Sequence, residues 1–356
     1  MTTNHIVVLV NLNTMVRKAF IILFCLLSCY SKSILAQQIS GKVLDENQEP
    51  LLGASVYIDG TTIGDISDIK GEFSFEIDKE INAVLIVSFV GYQKVYIENP
   101  DTQKPYLIQL EPDVSEMKEL VVYNNPYSRE EMLQVFRDEF IGDRKLQKTC
   151  KIINEEDIRF RYNPQTLTFT ALSEKPLKIE NHYLGYTINY DLLKFELIFQ
   201  RFTLNTNFLK SSTYMGTTQF LPMELNKKYR KRRKEAYENS TLHFFRALKA
   251  NNLKKQGFQL YFKGFQTNIT QLLELQNIGV MAEVKVKQKD IKFKPKNLVS
   301  SFEVLYKKND QTSISFYTDN FLIDGYGLYS KFDQIMFSGA MSKKKMAMIL
   351  PADYEY

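Results

Sequence analysis

Between residues 38 and 112 the apolar side chains fall in short runs of period two, and this patterning constrains the fold more than any other feature. Phe73, Phe75 and Ile77 alternate with Ser74, Glu76 and Asp78, as in a strand with one buried face and one wet face. Val56 and Ile58 repeat the pattern, Ala83–Val90 is a nearly continuous apolar run suited to a central strand, and Tyr106, Ile108 and Leu110 close the set. Turn-forming pairs occupy the gaps: Glu49-Pro50, Asp59-Gly60, Lys70-Gly71 and Asn99-Pro100. Short punctuated strands with no helical stretch between them predict an all-β sandwich. The 21 Tyr and 25 Phe of the whole chain extend the β-rich expectation beyond this segment.

Several motifs follow one another here: Ile39-Ser40-Gly41-Lys42-Val43, Pro50-Leu51-Leu52-Gly53-Ala54-Ser55-Val56, and Gly60-Thr61-Thr62-Ile63-Gly64. Ser67-Asp68, Gly71-Glu72-Phe73 and Ser88-Phe89-Val90-Gly91-Tyr92 complete the series. In this order they resemble the carboxypeptidase-regulatory-like domain over about seventy residues. The resemblance implies a transthyretin-like Greek-key sandwich, common in exported proteins of Bacteroidetes and also found before the plug of TonB-dependent receptors. It brings no catalytic residue, and Asp65 and Asp68 are read as turn-stabilising groups rather than ion ligands.

Residues 113–127 read as a linker, and 128–356 as a second, strand-rich α+β domain of unknown function. Ser128 and Glu131 form a capping box for a helix to about Phe140, with Met132, Leu133, Val135, Phe136 and Phe140 on its apolar side. Strands are expected near Ile158–Tyr162, Thr166–Leu172, Lys178–Asn181 and Tyr186–Phe202. A second helix is predicted from Pro222 and Glu224 to about Glu238, and a third from Ser240 through Lys255, ended by Gly257. The remaining residues again look like strands, in one large, mostly antiparallel sheet. Phe140-Ile141-Gly142, Pro176–Asn181, Leu184-Gly185-Tyr186, Ser240–Leu248 and Leu350–Tyr354 resemble segments of Bacteroidetes proteins described as carboxypeptidase-like regulatory-domain-containing. That likeness brings no established activity.

Residues 1–36 read as a secretory leader, with translation starting at Met15. Arg17 and Lys18 precede nine apolar residues, Ala19–Leu27, and a polar stretch ends at Ala36. Nine residues are too few to span a bilayer, which takes about 20. Cleavage after Ala36 is the favoured reading. The alternative is a lipobox, Leu26-Leu27-Ser28-Cys29, with lipid on Cys29. Of 46 basic residues, three precede Ala36, leaving 43 against 41 acidic ones. So balanced a body has no global field to draw in nucleic acid or membranes. Only Cys150 would remain, which excludes an internal disulfide and predicts a buried, inert thiol.

Two segments stand out as candidate sites. Lys227, Lys228, Arg230, Lys231, Arg232, Arg233 and Lys234 form a run of seven cations in eight residues, a candidate polyanion site that is otherwise a solvated helix. Glu119, Leu120, Val121, Val122 and Tyr123 resemble a TonB box, able to add a strand to a periplasmic partner; the plainer reading is an ordinary strand. His182 and His243 lack any metal-binding spacing, and no nucleophile elbow, phosphate loop or dinucleotide fingerprint occurs. Arg246 is expected to pair with a buried carboxylate such as Glu180.

No catalytic residue, cofactor or metal is therefore assigned. The chain reads as a non-enzymatic exported binding or assembly protein of the periplasm or outer membrane, with the sandwich as its interaction module. Its partner classes are an envelope protein, a glycan or lipopolysaccharide, with no nucleic acid. Two alternatives stay open: a hydrolase whose site is dispersed over the second domain, and a TonB-linked transport or signalling accessory. A cleft with convergent titratable groups favours the enzyme, and an unpaired sheet edge or exposed apolar patch favours binding.

Overall fold

Alternation becomes a sandwich as the sequence pattern requires. In the computed structural model, which describes residues 37–78, 83–113, 125–224, 226–288 and 296–356, seven strands form two sheets. One contains β1 (Gln37–Leu44), β4 (Glu72–Ile77) and β7 (Tyr106–Gln109) in the order β4-β1-β7, with β1 and β7 parallel. The other runs β3-β2-β5-β6 and contains β2 (Ser55–Ile58), β3 (Gly64–Ile66), β5 (Val84–Ser88) and β6 (Val95–Glu98). The inward residues predicted for β4, Phe73, Phe75 and Ile77, join Val43, Val56, Leu85 and Ile108 in one core. Asp68 accepts bonds from the backbone N–H groups of Lys70 and Glu72, and Asp65 from those of Ile66 and Ser74. Asp68 thus holds a turn, as expected, whereas Asp65 lies in β3 and bonds across to β4.

Helix α1 (Arg129–Phe140) begins at the Ser128–Glu131 capping box and buries the apolar side expected of it. It lies on a six-stranded sheet built around β12 (Tyr186–Phe199) and β13 (Leu209–Pro222), each 14 residues long. On the other side of β12, β11 (Leu177–Asn181) takes its first half and β10 (Thr168–Ser173) its last. Strands β8 (Cys150–Ile152) and β9 (Ile158–Asn163) extend these two. The Phe136 ring stands 4.6 Å from that of Phe195, and Phe140 stands 5.0 Å from Tyr190. Each such buried aromatic contributes roughly 1.5–3 kcal/mol of apolar burial. A bulge at Leu192/Lys194 bends β12 opposite Gly216. A Cβ there would lie 2.1 Å from the Asp191 carbonyl, so only glycine fits.

A short helix α2 (Arg144–Gln147) follows α1. Helices α3 (Lys227–Tyr237) and α4 (Thr241–Lys249) then lead into eight more strands. The expected single large sheet is divided. Beyond the β12 sheet stand a five-stranded sheet, β15-β14-β18-β19-β21, and a three-stranded one, β16-β17-β20. Their order along the chain is β14 (Phe258–Phe262), β15 (Phe265–Thr267), β16 (Leu273–Ile278), β17 (Met281–Val286), β18 (Ser300–Tyr306), β19 (Asp310–Phe316), β20 (Asn320–Ile323) and β21 (Ile335–Gly339). Phe244, Phe245 and Leu248 of α4 anchor this second core.

Both later helices are shorter than expected. Pro222 ends β13, and Asn226, whose side chain accepts the Lys228 N–H, opens α3. Helix α4 ends at Lys249 rather than Lys255 because Asn251 adopts a left-handed conformation, φ 50°. The Asn252 N–H then bonds the Ala247 carbonyl, a Schellman-type cap in which Asn stands where glycine usually does. Residues 38–356 pack as one compact unit. The leader and the TonB-box-like segment Glu119–Tyr123 lie outside the described residues.

Candidate functional site

The turn Asp59-Gly60, a plain punctuation mark in the sequence, is where the sandwich meets the β12–β13 hairpin. Gly60 N–H donates to the Thr218 carbonyl at 2.8 Å, and Phe220 N–H donates to the Thr61 carbonyl at 3.1 Å. Thr61 thereby pairs in parallel with Gln219 at the outer edge of β13. This pairing satisfies backbone groups that an edge strand otherwise leaves open. Lys94 forms an ion pair with Asp191 on β12, and Asp191 also accepts the Thr217 hydroxyl at 3.2 Å. Asn189 donates to Gln219, which donates in turn to Ser55.

A C-terminal segment, residues 341–356, ties the rest to this joint. Ala352 N–H reaches the Gly60 carbonyl at 2.8 Å. Asp353 accepts from the Thr62 backbone at 2.9 Å and also from the Thr62 hydroxyl. Buried Asn181 donates to the Ala347 carbonyl, and Ala347 N–H donates to the Ile141 carbonyl. Arg246 donates three bonds, to the carbonyls of Tyr326 (2.7 Å), Tyr354 (2.7 Å) and Ala352 (2.6 Å). This overturns the expected pairing of Arg246 with Glu180, whose side chain is exposed and faces His182 at 3.1 Å. The guanidinium fork of Arg246 is instead taken up by a row of carbonyls from residue 326 and the C-terminal segment. The segments that looked distinctive in the sequence thus share one structural task.

Burial governs the electrostatics here. Asp59 is pushed up to about 6, chiefly by desolvation, against the pull of the Thr218 and Gly60 N–H groups that bond it. Asp191 adds to the rise. Desolvation also raises Tyr57 and Tyr190 and takes the Cys150 thiol up to about 12, so that thiol is inert. His243 is held below its ordinary value by burial; it accepts the Asn239 N–H and faces Gln256 at 3.2 Å. Lys344 is lowered to about 8 by burial and donates to the carbonyls of Glu235, Ala236 and Glu238 at the end of α3.

Beside the joint opens a cavity of about 460 Å³. Tyr214 and Phe220 of β13, Leu242 of α4, Tyr329, Phe337 of β21 and Met348 line its walls. Asp59, Asp191 and Lys94 are not among its lining residues. Among the described residues no three His, Cys, Asp or Glu side chains are grouped to hold a metal ion, and no helix is long and apolar enough to cross a membrane.

The basic run lies on α3, and the structure divides it. Arg233 donates to the carbonyls of Leu184 (2.8 Å) and Gly185 (3.0 Å) and covers the Tyr186 ring at 4.0 Å. Arg232 reaches the His182 and Tyr183 carbonyls at 3.4 and 3.3 Å. Gly185, φ 75°, lies so close to Tyr229 that an added Cβ would stand 2.3 Å from its ring. Lys227, Lys228, Arg230, Lys231 and Lys234 are exposed. The expectation of a helix solvated around most of its circumference is corrected to that extent. Sequence reasoning missed Asp59, Asp191, Lys94, Tyr214 and Tyr329. No local pattern marks them: Lys94 meets Asp191 and Asp59 meets Thr218 only where the sandwich docks on β12 and β13, and Tyr214 and Tyr329 share only the cavity wall.

Fold and site together define a strand-rich protein whose N-terminal sandwich is bonded through its β2–β3 loop to an α+β body. Residues 39–122 match the family model of the CarboxypepD_reg-like domain. The same region is similar to the TonB-dependent receptor SusC of Bacteroides thetaiotaomicron, at 43% identity over 60 residues. That match covers 16% of this chain and 6% of the receptor.

Proposed function

We propose that this chain is a non-enzymatic binding or assembly protein of the cell envelope, with the sandwich as its interaction module. One observation supports the reading above others. Asp59, His243, Arg246, Lys344 and the Lys94–Asp191 pair are each engaged in holding backbone or one another, and of these only Lys344 lines the cavity beside the joint. Similarity of the sandwich to part of SusC supports the envelope setting. The β2–β3 end of the sandwich is occupied by the intramolecular joint, which leaves β7, an edge strand with Leu107 74% exposed, to receive a partner. An extended peptide can add to such an edge.

A pull-down from native envelopes tests this. One outer-membrane protein should be recovered in stoichiometric yield by the wild-type chain and lost with Leu107→Lys, which places a charge on the edge. Recovery of no envelope protein, combined with turnover of ester, peptide or glycoside substrates, would overturn the reading in favour of a hydrolase. A TonB-linked accessory role is the second reading, favoured by the receptor similarity.

The outward cations of α3 belong to the same proposal, as a surface for lipopolysaccharide phosphates or acidic glycans. Changing Lys227, Arg230, Lys231 and Lys234 together to Gln should lower the salt needed to elute the protein from heparin, because fewer counterions are released. Melting temperature should stay within about 2 °C, since exposed charges contribute little to stability. Arg233→Gln should do the reverse, destabilising the fold with little change in retention. Equal retention by the fourfold variant at every salt concentration removes the polyanion surface from consideration.

A further inference from the structure

The cavity beside the joint has the make-up of a small-molecule site. Its volume, about 460 Å³, lies within the range of roughly 300–1,000 Å³ typical of such sites. Its walls are largely apolar, and Met215, Met336, Met341 and Met348 all contribute. Methionine's unbranched, polarisable side chain adapts to flexible or irregular ligands.

Two phenols supply the polar contacts. Tyr214 and Tyr329 both line the cavity, and burial pushes Tyr214 up to about 12 and raises Tyr329. Each nevertheless keeps part of its surface accessible, the combination expected of a wall facing an internal space. Tyr214 adds to the rise of Tyr329. Neither hydroxyl has a hydrogen-bond partner among the described residues, and neither is a fully buried atom, so both are open to a ligand in the cavity. Lys345, paired with Glu139 at 3.2 Å, lies 5.7 Å from the Tyr214 ring, and Lys344 lines the cavity as well. Positive charge thus stands at the wall, offset by Glu139, which adds to the rise of Tyr214, and by the lining residue Asp333.

We propose that this cavity binds a fatty acid, or a similarly built apolar molecule ending in a carboxylate or carbonyl, whose head accepts the hydroxyl protons of Tyr214 and Tyr329 while its chain lies along the methionines. The site is independent of the protein partner proposed above. The pull-down can fail while the ligand binds, and the reverse.

Calorimetric titration of the mature chain with dodecanoate, below its micelle concentration, tests the proposal, with dodecyltrimethylammonium as a chain of equal length without an acceptor head. Dodecanoate should bind at one site per chain and the cation at least tenfold more weakly. The double variant Tyr214→Phe/Tyr329→Phe keeps the apolar walls and should weaken dodecanoate at least tenfold. Met348→Trp, which fills the space, should abolish binding, with folding of both variants checked by circular dichroism. Equal affinity for the two amphiphiles, full affinity in the double phenylalanine variant, or no dodecanoate binding by the wild type would each overturn the assignment. Retained binding after the four α3 cations become Gln excludes adsorption to the basic surface; its loss there would equally overturn the cavity site.

Discussion

Arg246→Ala is expected to destabilise the folded chain by about 3 kcal/mol, as three charge-assisted bonds to backbone carbonyls disappear together. Those carbonyls, of Tyr326, Ala352 and Tyr354, come from two separate stretches of chain. The effect should appear as a lower urea midpoint with an unchanged slope, which reports stability rather than a change in compactness. Arg246→Lys should recover only a minor part, because a compact ammonium lacks the spread of the planar guanidinium fork that reaches carbonyls of two separate stretches at once. Loss of the tie should also expose residues 350–356 first, so limited proteolysis should trim the C terminus of the alanine variant before the body. A midpoint indistinguishable from wild type would show that the C-terminal segment is held by its other contacts alone.

The second large effect concerns Asp59 and pH. Its carboxyl titrates near 3.8 when solvated and at about 6 in the fold. The folded state therefore holds the proton more tightly. The associated stability is fully present below about pH 3.8 and is lost as pH rises through 6. A rise of that size corresponds to at most roughly 3 kcal/mol, since each tenfold in proton affinity is worth about 1.4 kcal/mol. At pH 7.5 the buried carboxylate is a burden, offset in part by the N–H groups of Thr218 and Gly60. Asp59→Asn keeps an oxygen for those donors and removes the charge. The variant should be more stable than wild type at pH 7.5, by roughly 1–3 kcal/mol, and the advantage should vanish toward pH 4. Comparing the two proteins at each pH cancels the titration of all other carboxylates. An asparagine variant less stable than wild type at pH 7.5 would mean that the carboxylate's bonds to the Thr218 and Gly60 N–H groups outweigh the cost of its burial.

Legibility in the sequence followed the range of the interactions. Helix α1 was readable to its ends because the Ser128–Glu131 box and its apolar stripe lie within a dozen residues. Strand β4 was readable because period two is a local geometric fact. At α4 a strong signal, Gly257, outweighed a weaker one, Asn251, although the latter makes the cap. At α3 the proline that seemed to start the helix closes the preceding strand, and Asn226 does the capping. Charge was the least legible. Arg232 and Arg233 looked the same as their neighbours in the run, yet the turn 182–185, some fifty residues away, takes both out of solvent.

By itself, the sequence determined the sandwich, the first helix, the turn-holding role of Asp68 and the fate of the one described cysteine, since burial and periodicity are written in neighbouring residues. Only the tertiary structure decided that Gly60–Thr62, Asn181, Arg246 and the segment ending at Tyr356 form one joint, and that Tyr214 and Tyr329 share a cavity. Such contacts join residues more than a hundred positions apart, and no spacing along a chain encodes which distant carbonyl or phenol a side chain will meet once the sheets have packed.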